Sequence, residues 1–287
     1  MAPKPCAMTQ SSTSPIKDKQ RIEIIDIIRG VALLGILMMN IPYFSNPYQY
    51  NDLPTLNNSL TGYNYYAWWS VNGLFEGTMR GLFTILFGAG SILLLNRLDA
   101  KNPSKSADIF YRRLLWLLLF GMINAFVFLW PGDILYSYAL CGLMIFPFRN
   151  MKARSLLLIS IGLLIFTVGK DTYNLYERKM LRVNGEQALA LEAQKKKLTP
   201  AQEEAKGSWV GMKERMDPTK IKAGAETEIS KMQQGYFGVM AHLRKVNVMI
   251  QTTKFYSSYF MDIMSLLFLG MALLKFGVLT ARRSRKF

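Results

Sequence analysis

The stretch IIDIIRGVALLGILMMNIPYF, residues 24–44, decides the class of fold. It carries only Asp26, Arg29 and Asn40 as charged or amide side chains, and as a helix it is long enough to cross ~30 Å of hydrocarbon. Comparable apolar runs recur at 82–95, 114–130, 155–168 and 263–274. Of the 287 residues 51% are hydrophobic and 19% charged, with the apolar ones clumped. That pattern excludes a disordered chain, a collagen-like repeat and an ordinary one-core soluble enzyme. It predicts an all-α polytopic membrane bundle.

Working outward, the apolar runs place about six spans at 24–44, 70–95, 114–130, 134–148, 155–169 and 256–279. The first follows a polar, basic tail over 1–20, yet its core is long and Asn40-Ile41-Pro42 offers no small-x-small cleavage site. It reads as a retained signal anchor. Between Arg29 and Arg80 there is no Lys or Arg, while basic residues cluster at 97–113 and 149–154 and close the chain at 282–286. Cytoplasmic loops are enriched in Lys and Arg, so both termini and the loops after spans two and four are expected inside. The localisation expected is a bacterial cytoplasmic membrane, crossed several times, with the lipid bilayer as the first partner. The domain plan is a tail at 1–20, a five-span bundle at 21–169, an extracytoplasmic helical insertion at 170–255, a sixth span at 256–279 and a basic tail at 280–287.

The net charge is +16, from 35 basic and 19 acidic residues. Because the basic side chains flank apolar runs, the excess reads as topology, and no nucleic-acid partner is expected. Cys6 and Cys141 are the only cysteines and His242 the only histidine, too few for a disulfide framework or a metal site of His or Cys ligands. No bound cofactor and no metal are expected.

The insertion carries helix-start signals. Thr199-Pro200 with Gln202 fits an N-cap, a first-turn proline and a capping-box partner, and Asp217-Pro218 opens a second helix. These predict amphipathic helices on the outer membrane face or over the bundle.

Ionisable groups in spans are costly and are therefore candidates for function. Asp26 and Arg29, at i,i+3 on one face, sit at the cytoplasmic mouth of span one and can pair with each other or hold a ligand's phosphate. Glu76 and Arg80, at i,i+4, are expected as a second pair facing the interior. Asp133 follows the Pro131-Gly132 turn and is placed to cap span four. Asn40 and Asn124 add neutral polar groups, and with Glu76, Arg80 and Asp133 they could line one extracytoplasmic pocket. Asp262 is expected to pair inward and Lys275 to reach the cytoplasmic surface. The stretch Phe87-Gly88-Ala89-Gly90-Ser91 suits tight helix packing.

Ordered motifs run through the chain: Arg21, Asp26, Arg29-Gly30, Ala32 and Gly35-Ile36 with Asn40; Phe75-Glu76-Gly77-Thr78-Met79-Arg80-Gly81 with Phe87-Gly88 and Gly90; Arg112-Arg113-Leu114; Trp130-Pro131-Gly132-Asp133-Ile134-Leu135; and Gly270-Met271-Ala272-Leu273 with Gly277. Together they resemble the YeiB-type family of bacterial membrane proteins (domain of unknown function 418), over about residues 21–280. That family is distantly similar to transmembrane acyltransferases. The resemblance implies transfer of an acyl group from cytosolic acyl-CoA, as co-substrate, to an extracytoplasmic acceptor. Asp26 and Arg29 near the cytoplasmic face, and Asn40 and Arg80 in the outer pocket, fit that scheme as ligand-binding residues. A histidine is implied where Asn124 stands, so proton transfer falls to Glu76, Asp133 or His242. Further spans beyond Phe287 are also implied, which makes the chain a truncated or minimal member. A transporter or export component, its path lined by the same charges, is the alternative.

Overall fold

The computed structural model describes residues 22–53 and 61–279. The expected tails at 1–20 and 280–287, with Cys6, lie outside the described residues. Within them the chain is a helical bundle: α1 Glu23–Ser45, α2 Tyr48–Asp52, α3 Gly62–Ser70, α4 Thr78–Lys101, α5 Pro103–Phe126, α6 Leu135–Ile145, α7 Ala153–Ala193, α8 Pro200–Arg215, α9 Pro218–Met232, α10 Tyr236–Met249 and α11 Phe260–Lys275. A π-helical turn, Val71–Phe75, extends α3, a 3-10 turn, Phe146–Asn150, extends α6, and a π-helical stretch, Ile250–Tyr259, joins α10 to α11.

Five helical stretches are long and apolar enough to cross a membrane: Glu23–Ser45, Gly62–Lys101, Pro103–Phe126, Ala153–Ala193 and Tyr236–Lys275. The expected fourth span is not among them. The turn around Pro131-Gly132 delays its start, and Pro147 ends regular α-helix after Ile145 because its ring clashes with the preceding turn. Even so, α6 and its 3-10 extension together reach ~26 Å. They run from Tyr136, beside Gly121, to Arg149, whose carbonyl receives Lys275 Nζ at 2.5 Å.

Neighbour registers fix the directions. Gly35 lies against Met79 while Arg29 lies against Gly90, so α1 and α4 are antiparallel. Gly121 meets Tyr136 and Gly142 meets Leu114, making α5 and α6 an antiparallel hairpin. Ser160 Oγ donates to the Ser265 carbonyl at 2.8 Å and Lys275 Nζ to the Met151 carbonyl at 2.6 Å, which sets α7 antiparallel to α11. Because Arg80 pairs with Asp262 and Gly88 touches Leu267, α4 and α11 run parallel. The crossings thus alternate along the chain.

The core sits on α4, α6 and α11, where Leu86, Leu267, Met271, Ile92 and Tyr138 are buried. Gly88 and Gly270 let the two parallel helices approach until backbone touches backbone, as the small-residue stretch predicts. Gly35 also accommodates a neighbour, Met79, whereas Gly30 faces open space. Large apolar side chains point outward instead on the periphery: Ile27, Val31 and Leu34 on α1, Leu158 and Ile165 on α7. In water such faces would be a liability; against lipid tails they need no cover. The chain is a membrane protein by this criterion.

The positions 170 and 255 both fall inside continuous helix. At 41 residues α7 is far longer than one crossing, ~62 Å against ~30 Å of hydrocarbon. Its far half packs on α8, with Gly185 under Trp209 and Lys206 paired to Glu192 at 2.7 Å. His242 of α10 lies 2.9 Å from Glu228 of α9, so its ring is engaged inside this helical layer. The chain then descends along α10 into α11.

Both expected helix starts form. Thr199 Oγ1 accepts from the Gln202 amide while Gln202 Oε1 accepts from the Thr199 amide, and Asp217 accepts from the Thr219 amide at 2.8 Å. That last bond holds the Asp217 carboxyl below its ordinary pKa. Replacing Thr199 by alanine removes one half of the reciprocal box and should cost α8 ~1 kcal/mol. Amide exchange in the first turn of α8 should speed up several-fold while the spans keep their protection; unchanged exchange there would show the box to be idle.

Candidate functional site

The polar groups collect in layers toward the two ends of the bundle. The first layer follows a break between α3 and α4. A glycine at 77 permits φ +75°, and this turn stops the π-helical stretch and restarts the chain as α4 at Thr78. Arg80 therefore lies in the first turn of a new helix. Its Nη1 is 2.9 Å from Asp262 Oδ2 in the first turn of α11, with the two side chains 32% and 27% exposed. The guanidinium carbon lies 6.0 Å from the ring centre of Tyr259, within cation–π range.

The Arg80 main chain is engaged too. Thr84 Oγ1 donates to the Arg80 carbonyl at 2.7 Å, the Tyr138 hydroxyl reaches the same oxygen at 3.2 Å, and Thr84 and Tyr138 are 2.5 Å apart. With the threonine proton on the carbonyl, tyrosine supplies the proton between the two hydroxyls. Phe83 and Phe87 pack against the Tyr138 ring, so this knot sits in an apolar wall.

Nearby, Asn124 Nδ2 donates to Asp133 Oδ1 at 2.8 Å, and the Tyr136 amide donates to Asp133 Oδ2 at 2.9 Å. Both carboxylate oxygens are thus occupied, and the capping role read from the sequence is formed. Burial raises the Asp133 pKa above its ordinary value, opposed by the Asn124 side chain and the amides of Tyr136 and Leu135. Trp130, in the same turn, packs 4.5 Å ring to ring on Phe44 at the end of α1.

Toward the other end, Arg29 Nη1 lies 3.4 Å from Asp26 Oδ1, the pair expected from their spacing. The guanidinium also crosses to α4, where Nη2 donates to the Leu86 carbonyl at 3.2 Å over the bare Gly90. A side chain at 90 would occupy the space that guanidinium fills. The positions of Arg80 and Gly90 are ten residues apart on one helix, ~15 Å along its axis. Beyond Arg29, Lys275 caps the end of the 3-10 turn through the Arg149 and Met151 carbonyls, and Arg149 stacks over Phe146 at 4.0 Å.

The sequence-derived candidates therefore separate. Asp26 joins Arg29, Asn124 joins Asp133, and Arg80 joins Asp262. The Glu76–Arg80 pair does not form, since i,i+4 spacing brings side chains together only in unbroken helix and the chain turns at Gly77. Glu76 is exposed at that turn. Asn40 is half-buried on α1, and among the described residues no hydrogen bond ties it to the other candidates. Sequence reasoning missed Thr84, Tyr138 and Tyr259. Asp262, the only carboxylate of the last span, pairs inward as expected from the sequence, and its partner is Arg80.

Comparison with known proteins gives the same half-chain answer three times. The chain is 34% identical over 163 residues to the uncharacterized protein YxaH of Bacillus subtilis, covering 55% of this chain and 40% of that protein. It is 34% identical over 152 residues to an uncharacterized 39.9 kDa protein in the amylase 3′ region of Bacillus acidopullulyticus, 53% and 41% of the two chains. It is 32% identical over 150 residues to the uncharacterized protein YeiB of Escherichia coli, 52% and 37% of the two. The chain spans about two-fifths of the length of these relatives. No protein-family profile and no solved structure matches it. Over about half its length the chain is similar to YxaH and YeiB, and it is so as a bundle of helices suited to a membrane.

Proposed function

We propose that the chain is a multi-pass protein of the YeiB family in a bacterial cytoplasmic membrane, with both termini cytoplasmic, and that it transfers an acyl group from cytosolic acyl-CoA to an extracytoplasmic acceptor. The observation that carries this reading is Arg29, about one-third exposed, braced by Asp26 and the Leu86 carbonyl and seated over Gly90. A guanidinium fixed on one side and open on the other is suited to the phosphates of a CoA donor. In the reaction the thioester C–S bond breaks, the acyl carbon bonds to the acceptor oxygen or nitrogen, and the acceptor's proton passes to the leaving thiolate. Asp133 is committed to two hydrogen bonds, which leaves the exposed Glu76 as the carboxylate to take that proton and hand it on to the thiolate.

The test is titration of the full chain in uncharged detergent with a non-hydrolysable acyl-CoA thioether. Saturable binding is expected, weakened at least tenfold (~1.4 kcal/mol) in Arg29→Ala with helix content unchanged. A wild-type chain that does not saturate removes the donor from the reading.

A second reading, a solute transporter, is favoured by the Arg80–Asp262 pair beside the ten-residue π-helical stretch that leads into α11. Irregular helix at a polar site is a feature of transport paths. It requires solute flux that falls in Asp262→Asn and does not depend on Arg29.

A further inference from the structure

Away from the bundle's polar layers, a cleft of about 380 Å³ opens between α2, just past the end of α1, and the corner where α8 turns into α9. That volume lies at the small end of the ~300–1,000 Å³ usual for ligand sites. Its lining combines four distinct chemistries. Arg215 is one wall of the cleft; its Nε donates to the Gly211 carbonyl at 3.1 Å, and among the described residues no carboxylate pairs with it. Lys220 is by contrast matched to Glu214 at 3.0 Å, so the wall carries about one uncompensated positive charge. Gln49 also lines the cleft; its Oε1 lies shielded from solvent behind that wall and has no donor among the described residues. Tyr48, 56% exposed, supplies an aromatic face at the rim. Gly211 and Gly224 leave the walls bare: a Cβ on either would meet nothing within 4 Å.

We propose that this cleft binds a small hydroxylated anion, with the anionic group on Arg215, the carbon skeleton against Tyr48, and the Gln49 side chain turning so that a ligand hydroxyl donates to its Oε1. A buried acceptor without a donor is costly, and a ligand hydroxyl removes that cost. One free guanidinium selects one anionic group, phosphate or carboxylate. Glycerophosphate has this chemistry, either free or as the headgroup of phosphatidylglycerol, and the place of α2 directly after a spanning helix suits either source. The cleft shares no residue with Arg29 or with the Arg80 and Asp133 layer, so the inference stands or falls separately from acyl transfer.

The full chain in maltoside detergent is titrated with sn-glycerol 1-phosphate, glycerol and inorganic phosphate, and its thermal midpoint is compared in nanodiscs of phosphatidylglycerol and phosphatidylcholine. Glycerol phosphate is expected to bind saturably, at least tenfold more tightly than glycerol or phosphate alone. Arg215→Ala should weaken it tenfold or more, and Gly224→Leu, which fills the cleft and removes no charge, should abolish it. A response confined to phosphatidylglycerol discs and lost in both variants assigns the site to lipid; a response to the soluble compound assigns it to a free ligand. No response in either arm, equal binding of inorganic phosphate, or binding unchanged in either variant overturns the proposal. Both positions lie in the α8–α9 layer, and an unchanged helix signal for each variant shows that lost binding is not lost fold.

Discussion

Gly270→Ala is expected to destabilise the bundle by about 3 kcal/mol, although alanine is the better helix former by ~1 kcal/mol. The added carbon would run into the carbonyl of Ile85, which is backbone and has no rotamer to yield. Relief requires α11 to move off α4, and α11 also carries the Ser265 carbonyl bonded by Ser160 and the Asp262 carboxylate bonded by Arg80. Gly88→Ala should act alike, since its added carbon would meet the Leu267 carbonyl from the other side of the same crossing. The two replacements share one displacement, so together they should cost less than their sum. Gly162→Ala on α7 is the control: nothing lies within 4 Å of the added carbon, and the helix-propensity gain of up to ~1 kcal/mol should appear alone. The measurement is unfolding of the purified chain in mixed micelles. Equal stability of Gly270→Ala and Gly162→Ala would show that close backbone approach does not hold these helices together.

That crossing was legible as a type but not as a contact. Gly88 and Gly90 in one apolar run announced a helix that packs closely, and Gly270 sat in another such run; nothing in either run names the other as its partner. The spans were legible because lipid imposes one requirement, length and apolarity, on each segment by itself. Capping chemistry is just as local, which is why Thr199-Pro200 and Asp217-Pro218 marked true helix starts. What failed to show were features set by neighbours. The 11-residue α6 is short because a turn and Pro147 take residues from both ends, while hydropathy counts those residues as apolar. The helices that run through 170 and 255 pass from lipid-facing to polar composition without any helix-stopping residue. Arg80 looked matched to Glu76 because four residues is the right spacing, but the same motif contains Gly77, whose left-handed backbone parts them. Reading glycine inside a span as a break, and not only as a packing residue, would have pointed Arg80 elsewhere.

The pairing with Asp262 sets the remaining expectation, and its magnitude separates two pictures of the site. If Arg80 and Asp262 hold α4 to α11, Asp262→Asn leaves a guanidinium facing the Tyr259 ring and no counter-ion. A fully buried pair broken in this way costs roughly 3–5 kcal/mol. With about 30% of both side chains exposed the loss should be nearer 2 kcal/mol, because water and headgroups solvate the stranded charge. Arg80→Met should cost about as much, since it strands the carboxylate instead. The double replacement Arg80→Met with Asp262→Asn should recover at least half of the combined loss, a coupling of ~2 kcal/mol. Recovery is expected because the rest of the knot does not need the guanidinium: Thr84 bonds the Arg80 carbonyl, which any residue at position 80 retains, and Tyr138 bonds Thr84. Exchange of the pair, Arg80→Asp with Asp262→Arg, should restore stability but not function, because the cation then sits on α11 and no longer opens α4. Additive losses in the double replacement would mean that the two side chains act independently. Each would then be held in place by what it binds or transports, and the ion pair would be incidental to the fold.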